Sequence, residues 1–359
     1  MNKKRLFSYD LIRTVAVFSI VLCHFNARYS FVYYGSDLEE YMLLDQYPFG
    51  LFLGDLGVSL FFILSGASLY YNYYDCLDIK EFYKKRFFSI YPMFWIAYTA
   101  LFVLRAPKML ASGIPLRNIF FTVIGMDGYL AGIIPTFYLI GEWFLGAIIL
   151  IYLIFPFIRW SYRKNCIITW VLTISLYLVF VFMDIIPWLG KSSIIFIRLP
   201  EILVGMTYTQ YLMKKRDRQA DSGVKTGSKT LIKGATTVIF LLIPMIIGYI
   251  NISSNSIKTT LIGSTFFVFL ATLAEFVEQI CRYDAVSKIC MTVSIYSYAV
   301  YLVHHIIIDI VCDHIDMLSL TLQKRIGLFV ILVIMIGICA FVLQTVTKGI
   351  LRFIKRKNN

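Results

Sequence analysis

Residues 8–27 read SYDLIRTVAVFSIVLCHFNA, an apolar run interrupted by Asp10, Arg13 and His24. Twenty residues of α-helix rise about 30 Å, the thickness of a bilayer's hydrocarbon core. Lys3, Lys4 and Arg5 precede the run, as they would a signal peptide. No small-residue cleavage site follows, so the stretch is expected to persist as a membrane helix. Eleven helical steps of about 100° bring His24 back to within about 20° of Arg13, and about 16 Å farther along the axis. The two should therefore face one interior stripe, with Val17 and Ile20 between them, Arg13 toward the inner leaflet and His24 toward the outer. Asp10, three residues before Arg13, is within reach to hold its guanidinium. Ionisable groups at this depth cost about 3 kcal/mol or more, so each marks a candidate function.

The same pattern recurs outward along the chain. Of 359 residues, 59% are apolar and 15% charged, which excludes a soluble single-domain enzyme and a disordered chain. Ten apolar segments are long enough to span, near 8–27, 50–73, 87–104, 138–158, 165–184, 193–213, 233–251, 258–278, 291–312 and 325–350. Residues 117–135 are apolar but broken by three glycines and Pro135, and read as re-entrant or interfacial. The expected fold is all-α, a polytopic membrane protein forming one integral-membrane domain over 1–359. Six helices lie within 8–213, a hydrophilic loop covers 214–232, and four helices lie within 233–350. No appended soluble domain is expected.

Charge sets the orientation. With ten spans and the N-terminus inside, inner segments hold 24 Lys and Arg against eight on outer ones. That asymmetry places both termini and 214–232 in the cytoplasm. It also accounts for the net charge of +13 without nucleic acid, and the basic run in 214–232 would face lipid. The seven cysteines include no C-x-x-C pair, so neither a disulfide framework nor a zinc site is expected.

Further polar groups fall at the depth of His24. Asp55 and Ser59 are one turn apart, Glu142 precedes Trp143 at a helix start, and Arg198 and Glu201 are spaced to pair with each other. Ser294, Tyr298, Tyr301 and His305 share a face, with Ser297 and His304 alongside. Several helices thus offer polar groups to one cavity that opens outward, while Lys84, Lys85 and Arg86 lie at the inner side with Arg13. The spacing of His305, Asp309 and Asp313 suits either a metal or, more simply, a solvated helix end, and no metal centre is expected. Cys23 and His24 diverge by about 100° and cannot form a nucleophilic pair. A transporter or flippase of a lipid-linked or polysaccharide substrate fits these features as well as an enzyme does.

Six stretches, in order over about 300 residues, resemble the membrane-bound acyltransferase 3 family, in its branch that acylates surface polysaccharides. They are YDLIRTVAVFSIVLCHF (9–25), GDLGVSLFFILSGASLYY (54–71), FYKKRFFSIYPMFW (82–95), WFLGAIILIYLIFP (143–156), RLPEILVGM (198–206) and SIYSYAVYLVHH (294–305). Two positions depart from the family pattern: Ser59 stands where the family has Asp, and Ser89 replaces an Arg. The resemblance implies transfer of an acyl group, usually acetyl, from cytoplasmic acyl-CoA to a hydroxyl of a glycan or lipid-linked sugar outside a bacterial plasma membrane. It implies no permanently bound cofactor, acetyl-CoA serving as co-substrate. His24, Arg13 and Glu142 become the expected catalytic residues, and Arg13, Lys84, Lys85 and Arg86 the donor-binding ones. Asp10, Asp55, Ser59, Trp143, Arg198, Glu201, Tyr298, Tyr301 and His304 become acceptor-binding or supporting residues. Oligomeric state is left open.

Overall fold

The computed structural model describes residues 4–32, 38–222, 230–280 and 284–357, and among them it is helical with no strand. Each of the ten expected segments falls on a helix, though not every one is long and apolar enough to span. The ten helices are α1 (Phe7–Val32), α2 (Leu53–Asn72), α3 (Ile79–Leu110), α6 (Glu142–Lys164), α7 (Cys166–Phe182), α8 (Ile195–Ser222), α9 (Thr230–Tyr249), α10 (Asn255–Ile280), α11 (Asp284–Cys312) and α12 (Leu322–Lys357). Among the described residues seven are long and apolar enough to cross a membrane: α1, α2, α3, α6, α10, α11 and α12. The helices at 166–182 and 233–249 are apolar but shorter. The chain is a multi-pass membrane protein.

Several boundaries run past the apolar stretches because capping and charge extend a helix beyond the lipid. α3 begins at Ile79 rather than near 87, since the Asp78 side chain accepts the backbone N–H of Glu81 at 2.9 Å. Asn165 caps α7 in the same way, accepting from Ile168 N–H at 3.0 Å. The hydrophilic stretch expected as a loop over 214–232 is helical through Ser222, and α9 resumes at Thr230. Lys215 anchors this extension by donating to Glu275 on α10 at 2.8 Å. Residues 223–229 of that stretch, and 33–37 between the first two helices, lie outside the described residues.

Residues 117–135 form no span. They fold into two short helices, α4 (Ile119–Val123) and α5 (Asp127–Leu130), tied together by Asn118 donating to the Pro135 carbonyl at 2.8 Å. Asp127 is buried here, and its Oδ1 accepts from Thr122 at 2.9 Å. Burial pushes its carboxyl up to about 6.

The interior is built on close helix contact. α1 packs between α2 and α11, while α2 packs on α8 and α10. At the α2–α8 crossing the backbones nearly touch: a Cβ on Gly205 would lie 1.9 Å from the Ile63 carbonyl, and one on Gly66 would lie 2.2 Å from the Ile202 carbonyl. Small residues permit this approach, which supplies van der Waals contact where lipid removes the hydrophobic driving force between helices.

Candidate active site

A cavity of about 640 Å³ runs between α1, α2, α3, α6 and α11. On α1 it is lined by Arg13, Ile20, Cys23 and His24, so the eleven-residue spacing does place both ionisable groups on one stripe. Val17 departs from that expectation. It lines the flank of the stripe, in an adjacent apolar groove against α11 and α12.

Arg13 marks one end. Its guanidinium donates to Ser294 at 3.1 Å and to Ser68 at 3.5 Å. Asp10 does not hold it as expected, because Arg5 takes the Asp10 carboxylate through bonds of 2.5 and 2.7 Å. Arg86, Ser89 and Tyr152 line the same end. The Arg86 guanidinium lies 5.5 Å from the Tyr152 ring centroid, and its buried Nε finds no hydrogen-bond partner among the described residues. Lys84 and Lys85 are exposed and do not line the cavity; Lys84 sits 3.7 Å from Glu81 on the helix surface. Of Lys84, Lys85 and Arg86, the fold turns Arg86 inward.

His24 and Glu142 meet at the other end, with His24 Nε2 3.7 Å from Glu142 Oε1. Glu142 is held there by a backbone few residues tolerate. Gly141 has φ +90°, and Glu142 itself has φ +22°. A non-glycine residue at positive φ is strained and persists where its surroundings over-determine it. Two contacts supply that constraint. The Tyr301 hydroxyl donates to the Gly141 carbonyl at 2.6 Å, and α5 lies so close that a Cβ on Gly128 would be 2.4 Å from the Glu142 carbonyl carbon. The 117–135 segment therefore positions the carboxylate that faces His24.

Two further imidazoles surround His24. The rings of His304 and His305 lie 4.9 and 4.8 Å from it, centroid to centroid. His304 is buried, with its Nδ1 3.1 Å from the Val300 carbonyl and 2.9 Å from the Tyr301 carbonyl. A carbonyl can only accept, so Nδ1 carries the proton and Nε2 presents a lone pair. The ligand atoms of His24, Glu142 and His304 all fall within 4.8 Å of one another. The other metal candidate is closed on itself: His305 Nδ1 is 3.1 Å from Asp309, and Arg28 donates to Asp309 at 3.0 Å and also to Asp313.

The remaining expected residues divide. Asp55, Trp143, Tyr298 and Tyr301 line the cavity. Asp55 accepts from Asn255 at 3.1 Å, and Tyr298 donates to the Ile90 carbonyl at 3.1 Å. Ser59 does not reach the cavity; it is fully buried against α10, where a Cβ on Gly263 would lie 2.0 Å from its Oγ. Arg198 and Glu201 pair at 3.2 Å, both buried and neither lining the cavity. Their link to the site is indirect, since the Arg198 guanidinium stacks 5.4 Å from the Phe62 ring and 5.9 Å from the Trp143 ring.

Gln46 and Phe52 also line the cavity and were not legible as site residues. Gln46 is fixed by Asn26, whose amide donates to its Oε1 at 2.8 Å and to the Leu43 carbonyl at 2.9 Å. Nothing in the local sequence marks Gln46, because its placement depends on this pairing with α1 twenty residues away.

A helical membrane protein with a basic pocket at one end of a central cavity and an imidazole–carboxylate pair at the other has the layout of a membrane-embedded group-transfer enzyme. The family model described as an acyltransferase domain matches residues 6–345, and the chain belongs to the membrane-bound acyltransferase 3 family. It is an integral-membrane acyltransferase. No curated protein and no solved structure matches the chain.

Proposed function

We propose that this acyltransferase moves an acetyl group from cytoplasmic acetyl-CoA to a hydroxyl of a cell-surface or exported polysaccharide, across a bacterial plasma membrane with both termini in the cytoplasm. The observation that carries the reading is the single cavity joining Arg13 and Arg86 at one end to His24 and Glu142 at the other. The donor's phosphates suit the guanidinium end, where Arg86 Nε has no hydrogen-bond partner among the described residues. The pantetheine arm is an extended chain of about the Arg13–His24 separation, long enough to carry the thioester to the imidazole. The 24-to-eight charge asymmetry supports the donor's approach from the cytoplasm.

In this mechanism a glycan hydroxyl enters from the outer mouth, past Gln46, Asp55 and Trp143. His24 takes the hydroxyl proton as the oxygen attacks the thioester carbonyl. The C–S bond breaks, the acetyl group passes to the sugar oxygen, and the proton passes from His24 to the departing thiolate. Glu142 orients the imidazole and stabilises the imidazolium formed on the way, as the third member of a hydrolase triad does. His24→Ala should abolish thiol release from acetyl-CoA in the presence of acceptor, while the protein still inserts and accumulates. Near-normal transfer by that variant would remove His24 from the chemistry.

A further inference from the structure

The geometry points to a divalent transition-metal site of the zinc class, formed by His24 on α1, Glu142 on α6 and His304 on α11. Three observations converge on it. His304 is 1% exposed, and its Nε2 finds no partner among the described residues. Glu142 Oε1 is likewise buried and without a hydrogen-bond partner among them. Both belong to the group whose ligand atoms, with His24, lie within 4.8 Å of one another. Two lone pairs buried without donors are costly unless something electrophilic meets them.

The donor set selects the ion. Two imidazole nitrogens and one carboxylate oxygen suit zinc and its neighbours, and offer too few oxygens for calcium or magnesium. Imidazoles that ligate metals usually donate their other N–H to a carbonyl or carboxylate, which fixes ring and tautomer. His304 already does so toward the Val300 and Tyr301 carbonyls. Metal bonds of about 2.0–2.1 Å in a tetrahedron put ligand atoms about 3.3 Å apart, so these side chains need close by no more than about 1.5 Å. Cavity space leaves a fourth position for a water or a hydroxyl.

Occupancy has a consequence that rests on the proposed transfer mechanism: an ion held between His24 and Glu142 takes the carboxylate from the imidazole, and its charge opposes the imidazolium that forms when the hydroxyl proton is taken. Metal and turnover then exclude one another, and micromolar zinc inhibits transfer until a chelator removes it.

Binding can be measured apart from activity. Full-length protein purified in detergent, stripped with chelator and titrated with cobalt(II), should take up one ion per chain with the visible absorption of tetrahedral cobalt, displaced by zinc. Glu142→Gln keeps the side chain's shape and should weaken cobalt at least tenfold, as should His24→Ala and His304→Ala, whereas His314→Ala should bind as wild type. Absence of the cobalt band in wild type, or a band undiminished in Glu142→Gln, overturns the site. If cobalt and zinc bind as expected but leave transfer unaffected, the site stands and the assignment of His24 as general base fails.

Discussion

Replacing Glu142 with glutamine removes one charge while keeping the shape of the side chain, so its effect isolates what the carboxylate does for His24. The two groups face each other at 3.7 Å, with 22% and 23% of their side chains exposed. Unit charges at that distance interact by about 4 kcal/mol at an effective dielectric near 20. Solvent reaching the exposed part of each group, and the dipole that glutamine retains, reduce the loss to about 2–3 kcal/mol. Because the interaction is strongest when His24 carries the proton in flight, the loss falls on the transition state. At about 1.4 kcal/mol per decade, turnover should fall about 30- to 150-fold. The assay is thiol release from acetyl-CoA by purified protein given a surface-glycan fraction as acceptor, with the concentration dependence on acceptor measured in parallel. The orienting role requires a fall in turnover with little change in the acceptor requirement. A raised acceptor requirement at unchanged turnover would make Glu142 a sugar ligand instead. Kinetics within twofold of wild type in both respects would refute both roles and leave the carboxylate as a helix-start charge.

Three further outcomes are expected. In inside-out vesicles, added acetyl-CoA should support acylation, and Arg13→Lys should raise the donor concentration required, because lysine lacks the planar fork that bonds Ser294 and Ser68; equal donor use by sealed right-side-out vesicles would put the donor on the wrong face. Asp127 is protonated more readily in the fold than in the unfolded chain, its carboxyl lying at about 6 because of burial, so its contribution to stability is full below the unfolded value and is lost as pH rises through about 6. Asp127→Asn should therefore stabilise the protein by about 1–3 kcal/mol at pH 7.5 and flatten the decline in Tm between about pH 4 and pH 6.5, and an identical pH slope in both proteins would contradict this. Gly205→Ala should lower Tm and accumulation through overpacking of about 1–3 kcal/mol at the α2–α8 crossing, while Gly337→Ala, with open space around its Cβ position, should be neutral; equal behaviour of the two variants would discount the crossing.

The helical membrane architecture was legible without tertiary information, because lipid imposes a length and polarity requirement that seven of the ten segments, among the described residues, meet by themselves. The Arg13–His24 stripe was legible for the same local reason: helix geometry alone aligns residues eleven apart. Charge on the flanks bounds the apolar stretches but not the helices, since Asp78 and Lys215 carry α3 and α8 beyond them. What required the tertiary structure was partnership. Asp10 and Arg13 are close in sequence, yet Arg5 holds Asp10 while Arg13 reaches α2 and α11. Ser59, one turn from Asp55, points into the α10 contact, whereas Gln46 enters the cavity mouth through a bond to α1. The meeting of His24, Glu142 and His304 depends on three helices and on the strained backbone at Gly141 and Glu142, held by Tyr301 and Gly128. Local sequence specifies the period and depth of a side chain, but which lone pairs face one another is set by helix crossings between residues more than a hundred positions apart.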